Sequence, residues 1–470
     1  MSADAEIADA VERLRPELER LARELYDEPE IGFEEHPSVA RIASLLAAHG
    51  VDVEVGAFGL DTALRASTAA AGAASGPHFA IFAEYDALPG IGHACGHNVI
   101  AAVAVGAYLA AAPVVAGLGG RLSLIGTPAE ENGGGKELII RAGGFDDVDA
   151  AGMVHPSSGS GTSSVLGQRT TGVRRVAVIY HGRAAHAAGA PWLGRNALDG
   201  VVTAYQSIAQ LRQHILPTDR LHGIITDGGA APNIVPERAS ALFYVRSADV
   251  AALRELTDRV VAVLEGAALA TGTRAEIDVD PVPPYLPLQT NTALTSRWVD
   301  AFAARGHEVP PPAEPPQGGP STDMGNVSRL VPSIHPSLGL GGPDDVFPHN
   351  AAFADLTVLP AATDASWMPR PPSPRRPSPT RPPRAARRGG GGVRGIRRPL
   401  PLGGLSALRG YGQAKRRHRA PRCGARCRSQ EVAEVVRNGA SRAFQPAVSW
   451  AYSSGHPAAR SPSRTPSVTR

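Results

Sequence analysis

Cysteine is nearly absent: the chain has three in 470 residues, and only Cys95 precedes residue 423. No disulfide framework can hold such a chain together, and a reducing compartment is expected. The opening stretch, MSADAEIADAVERLRPELERL, is charged throughout and lacks the apolar centre of a secretory signal. The sequence is also read as lacking an apolar run of about eighteen residues, so a cytoplasmic protein without membrane contact is expected. Basic charge is outnumbered by acidic charge over most of the chain. From Met368 onward lie 23 of the 47 Lys+Arg but only two of the 44 acidic residues, Glu431 and Glu434, which leaves −18 before that point and +21 after it. The net +3 therefore hides an acidic body, and a nucleic-acid partner is not expected for it.

The Arg, Pro, Gly and Ala-rich segment 366 to 470 has too little apolar surface to offset its ordering entropy and is expected to be disordered. Its abrupt start near residues 361 to 368 is what a shifted reading frame in a GC-rich gene would give. A nucleic-acid-binding appendage is the alternative, against which stand the scarcity of aromatics and lysine there. Neither GGGG at 389 to 392 nor CGARC at 423 to 427 has the context of a phosphate loop or a zinc site.

What the body does contain is α/β patterning. Residues 78 to 83 (HFAIFA), 121 to 125 (RLSLI) and 150 to 154 (AAGMV) are short apolar runs suited to strands buried on both faces. Polar groups follow each run: Glu84-Tyr85-Asp86, Glu130-Glu131 and His155, with Cys95 and His97 between the first two. In an open α/β sheet the reacting groups collect beyond the carboxyl ends of parallel strands. Helical spacing covers 5 to 25, where Pro16 is expected to kink the run, then 37 to 49 and 98 to 112. From 172 to 280 the order becomes β-α-β-β-α-β, the ferredoxin-like unit. The expected organisation is a mixed-sheet catalytic lobe (1–168 and 282–365), an inserted α+β lid or dimerisation domain (169–281) and the tail (366–470).

Residues 93 to 98, HACGHN, put a thiol and an imidazole two residues apart near a helix start, where the dipole and a metal would both favour the thiolate. A lone buried cysteine beside a core histidine would read the same way. Glu130 and Glu131 are adjacent, so their side chains diverge: one can bind a metal while the other serves as general base. A solvated acidic turn is the bland alternative, weakened by the neighbouring Cys95, His97 and His155.

The stretch AEYDALPGIGHACGHN (83 to 98) resembles the signature of the M20 metallopeptidase family, in particular its amidohydrolase branch of aminobenzoyl-glutamate hydrolases and aminoacylase-1-like dipeptidases. The resemblance extends through TPAEENGGGK, FDDVDAAGMVHP, HGRAAHAAGAPWLGRNALD, APNIVPERA, YVRS and STDMGNVS, over about residues 10 to 360. It implies a di-metal peptidase lobe that cleaves the amide bond of small N-acyl amino acids or dipeptides and forms a homodimer through the lid. Two divalent ions are implied, zinc by the thiolate and imidazoles, with manganese or cobalt tolerated. By the same resemblance Cys95, His97, Glu131, His155 and His349 are metal ligands, Cys95 being shared by the two ions. Glu130 is the general base and Asp86 the orienting carboxylate. His186 steadies the oxyanion across a dimer interface, Asn233 accompanies it, and Arg246 holds the substrate carboxylate. Glu84 stands where other branches have a metal-binding histidine, and its role stays open, as do those of Asp323 and His335. Two rivals remain: a family member that binds ligand without turnover, and a cysteine-nucleophile hydrolase built on Cys95 and His97.

Overall fold

A computed structural model describes residues 3–68, 76–159, 170–304, 309, 319–343 and 345–358. The expectations placed on 366–470, and the boundary between 168 and 169, lie outside the described residues. Two helices open the chain, α1 (Ala3–Asp27) and α2 (His36–Ala48). Leu14, Leu18, Leu21 and Leu25 recur at helical spacing on α1 and are buried. α1 runs on through Pro16. Pro16 is exposed there, on the solvent side of the helix.

There follow β1 (Val53–Val55), β2 (Leu64–Ser67), β3 (His78–Ala83), α3 (His97–Gly117), β4 (Arg121–Gly126), α4 (Gly135–Arg141), β5 (Ala150–Gly152) and β6 (His155–Ser157). A second group comprises β7 (Gly172–His181), α5 (Ala197–Leu211), β8 (Arg220–Asp227), β9 (Arg238–Ser247), α6 (Val250–Thr271) and β10 (Arg274–Val279). The chain then supplies α7 (Thr292–Ala304), α8 (Met324–Val327), β11 (Ser333–Ile334), β12 (Ser337–Gly339) and α9 (Ala351–Leu356).

The larger sheet has the order β1-β2-β4-β3-β5-β11. Its last four strands are mutually parallel, and β1 and β2 are antiparallel additions at one edge. The parallel strands are mostly apolar because both faces are covered. On one face Leu122 and Leu124 pack with α1 and α3, and on the other Phe82 and Ile125 meet Ile139, Phe145, Met324 and Val327. α3 corrects the expectation that no long apolar run exists: by length and composition it could cross a membrane. Ala101, Ala104, Val105 and Tyr108 instead sit in the core shared with α1 and the sheet, which accounts for the run without a bilayer.

Strand ends set the position of the site. β3 stops one residue before Glu84 and β4 four residues before Glu130. β5 is shorter than its apolar run. Its partners on β3 and β11 end opposite Gly152, and His155 opens the separate strand β6, parallel to β12. The second sheet, β10-β7-β9-β8, is antiparallel throughout, and α5 and α6 cover one face, where Val178, Tyr180 and Phe243 meet Val201, Ile208, Val260 and Leu264. Asn196 caps α5 by accepting from the Leu198 N–H, and Asp249 caps α6 by accepting from the Ala251 and Ala252 N–H groups.

Candidate metal centre

The start of α3 pins the first ligand candidates. Gly96 precedes it at φ 84, and a Cβ there would lie 2.8 Å from Pro156 Cγ, so only glycine lets this turn sit against β6. The result brings Cys95 Sγ to 3.4 Å from His155 Nε2. His155 Nδ1–H donates to the Pro156 carbonyl at 2.8 Å, which leaves the Nε2 lone pair facing Cys95. His97 is fully buried, and its Nδ1–H donates to Asp86 Oδ1 at 2.9 Å. The other oxygen of Asp86 accepts the Glu131 N–H at 2.9 Å. One carboxylate therefore orients both an imidazole and the turn carrying the two glutamates, the arrangement by which metal ligands are commonly held.

That turn is held from several sides. Ala129 adopts φ 55, a costly conformation for a residue with a Cβ, and its N–H donates to the buried Glu35 at 2.8 Å. Tyr285 donates its hydroxyl proton to the Glu130 carbonyl and accepts the Gly134 N–H at 3.0 Å. Arg175 lies over the Tyr285 ring, 4.9 Å from its centroid, and so ties β7 to the same turn. His349, another positive-φ residue at 67°, is fastened by its N–H to the Ala94 carbonyl at 2.8 Å and brings Nε2 to 3.4 Å from Glu131 Oε2.

The donor atoms fit cations. Cys95, His97 and His155 form one group and Cys95, Glu131 and His349 another, with the ligand atoms of each within 4.8 Å of one another. Cys95 belongs to both. His97 Nε2 and Glu131 Oε1 are buried with no hydrogen-bond partner, although buried polar atoms are nearly always paired. Burial and then Glu131 push the Cys95 thiol well above its usual range, so its thiolate needs a cation beside it. Burial, followed by the carboxylates of Glu84, Glu131 and Asp323, pushes the Glu130 carboxyl up.

Glu84 and Asp323, left open above, have partners. Lys136 Nζ donates to Glu84 Oε1 at 2.5 Å and to Asp323 Oδ1 at 2.7 Å, while the second Glu84 oxygen lies 3.5 Å from His97 Nε2. His335 is buried, its ring centroid 5.6 Å from that of His155, and burial pushes it down to about 3, so it is neutral.

The candidates on the second sheet are arranged differently. His186 and Asn233 are exposed, and their loops are clipped together by the Ala187 N–H donating to the Asn233 carbonyl at 3.0 Å. His186 Nδ1 accepts the N–H groups of Ala188 and Gly189 at 3.2 and 3.0 Å, which fixes the ring proton on the outward Nε2. Among the described residues no hydrogen bond or ion pair joins either residue to the Cys95 cluster. Arg246 does reach the catalytic lobe: Nη1 donates to Ser321 Oγ at 2.7 Å and Nε to His222 Nε2 at 3.1 Å. Its charge offsets part of the upward push that the Glu131 interaction gives His349. Sequence patterns had not singled out Lys136, Glu35, Arg175 or Tyr285. One signal was available, since Lys136 is the only lysine before residue 415.

Residues 169–272 match the family model for a peptidase dimerisation domain. The chain is 36% identical over 375 residues to the Xaa-Arg dipeptidase of Mus musculus, across 76% of this chain and 83% of that protein. It is 35% identical over 305 residues to one component of the p-aminobenzoyl-glutamate hydrolase of Escherichia coli, across 60% and 62% respectively. Its fold resembles that of a Bacillus subtilis dinuclear metal binding peptidase from the M20 family, with TM-score 0.55 and 21% identity over 76% of this chain and 98% of the other.

Proposed function

The chain belongs to the M20 peptidase family, and on that premise we propose that it is a two-metal amide hydrolase acting on small N-acyl amino acids or dipeptides with a free carboxylate. The observation that carries the reading is Cys95, whose sulfur belongs to two separate groups of ligand atoms. Cys95, His97, Glu131, His155 and His349 would hold the pair of ions. Thiolate and imidazole suit zinc, and the carboxylate oxygens admit manganese or cobalt. When bound, the ions would polarise the scissile carbonyl and make water a competent nucleophile near neutral pH.

The remaining steps belong to side chains. Glu130 takes the proton of the attacking water on its carboxylate and returns it to the leaving nitrogen. Asp86 keeps His97 and the Glu131 turn in register through its two hydrogen bonds. Arg246, anchored on Ser321 and His222, offers its guanidinium fork to the substrate carboxylate. His186, with its proton on Nε2, donates to the developing oxyanion in the site of a second copy, with Asn233 beside it. This requires a homodimer through the four-stranded sheet, in keeping with the dimerisation-domain match. The rodent relative is named for Xaa-Arg substrates, and the acidic body of this chain suits a cationic side chain, so dipeptides ending in arginine lead the substrate panel. A reducing compartment keeps Cys95 available as a ligand.

A cysteine-nucleophile reading would rest on the 3.4 Å approach of Cys95 to His155. Burial there pushes the thiol up and the imidazole down, opposite to a thiolate–imidazolium pair. The test is hydrolysis by the purified full chain of Xaa-Arg dipeptides, p-aminobenzoyl-glutamate and N-acyl amino acids. The proposal expects activity lost to a chelator and regained with zinc, manganese or cobalt. Chelator-resistant turnover would favour the cysteine, and retained metal with no turnover on any substrate would leave a binding protein.

A further inference from the structure

Lys136 begins near the metal centre but has no part in the steps above. It lies in the first turn of α4, is fully buried, and points its ammonium between Glu84 and Asp323. Its own N–H donates to the second oxygen of Asp323 at 3.0 Å, so backbone and side chain grip the same carboxylate. Glu84, Glu130 and Asp323 form a further group whose oxygens lie within 4.8 Å of one another, all buried. Three carboxylates this close in a low-dielectric interior repel one another strongly and must be offset by positive charge. Divalent cations would meet that need at the neighbouring Cys95 groups, whereas here the chain supplies the charge itself.

We propose that Lys136 is a built-in cation that takes the position a third metal ion would otherwise fill between Glu84, Glu130 and Asp323, and thereby keeps Glu130 a proton acceptor instead of a ligand. The proposal rests on the two-metal reading of the neighbouring site. Lys136 is a positioning residue in this account: it touches Glu84 and Asp323, and acts on Glu130 through the charge balance of the cluster. A carboxylate drawn onto a metal has its oxygens committed and cannot accept the water's proton. An ammonium with three donors, two of them on Glu84 and Asp323, balances the cluster without claiming Glu130.

The test is metal content, measured on the full chain after dialysis against manganese, an ion suited to an all-oxygen site. The wild type should hold about two ions per chain, and Lys136→Met, which keeps the hydrocarbon and removes the charge, should hold one more. Glu84→Gln added to Lys136→Met should remove that extra ion. On dipeptide substrate Lys136→Met should lower kcat by about 10–100-fold with KM little changed. Lys136→Met with two ions and unchanged kcat would overturn the proposal. A wild type without metal would instead overturn the two-metal reading, so the two failures are distinguishable. If Lys136→Met does not fold, Lys136→Met/Glu84→Gln restores the cluster's net charge without the ammonium. Its folding supports the charge role, and its failure to fold would assign Lys136 to packing and overturn the proposal.

Discussion

Cys95, His97, Glu130, Glu131 and His155 are buried or nearly so and fall into overlapping groups of ligand atoms, whereas His186 and Asn233 on the four-stranded domain are exposed and are joined through their loops. The first group rests on strand ends, an Asp86 bridge and a Tyr285 clamp, all within one chain. The second has a fixed loop geometry and a defined ring proton but no target among the described residues. On the proposed reading the contrast separates two requirements of one reaction: the cation ligands would all come from a single chain, and the oxyanion donor would come from another copy.

The sharpest way to break this contrast is to disable each side and mix the products. Glu130→Gln should retain about two ions and lose roughly 10²–10⁴-fold in kcat. A variant that keeps its activity would remove the general-base role. His186→Ala should lose less, on the order of 10²–10³-fold in kcat, again with metal retained. Refolding the two inactive variants together should recover activity, because a mixed dimer holds one site with both Glu130 and a neighbouring His186. If mixing recovers nothing while mixed dimers form, His186 works within its own chain or not at all.

The smallest effect concerns what burial costs the catalytic side. Burial, with Asp86 nearby, pushes the Glu35 carboxyl from its usual 4.5 up to about 7. For an acid whose folded value lies above its unfolded one, the native state keeps a proton that the unfolded chain releases. Stability is thus unaffected below pH 4.5, falls between there and about pH 7, and levels off above. Glu35→Gln keeps an oxygen for the Ala129 N–H and abolishes the titration. Its stability advantage over the wild type should therefore grow between pH 5 and pH 8 by at most about 3 kcal/mol. A difference in Tm that is flat across this range would show that Glu35 is charged without penalty.

Much of this site could be read from residue order, and the limits have physical causes. β3, β4, α3 and the β-α-β-β-α-β segment follow from apolar runs and helical spacing, which are local properties. The end of β5 does not, because strand length depends on how far its neighbours pair. That Cys95, His97, Glu131 and His155 lie together was legible because strand ends and the HACGHN turn keep them close in sequence, whereas His349 entered only through the family resemblance. The role of Glu84 was not, since its partner Lys136 is 52 residues away and Asp323 a further 187 beyond Lys136. Only folding reveals that these charges meet. Tyr285 stayed hidden for the same reason, being 155 residues from the carbonyl it holds.

The central claim is that one sulfur serves two ions, and metal counting on Cys95→Ala tests it most directly. The wild type should carry about two ions per chain and His349→Ala about one, while Cys95→Ala, still folded by circular dichroism, should carry close to none. Cys95→Ala that keeps both ions would contradict the account.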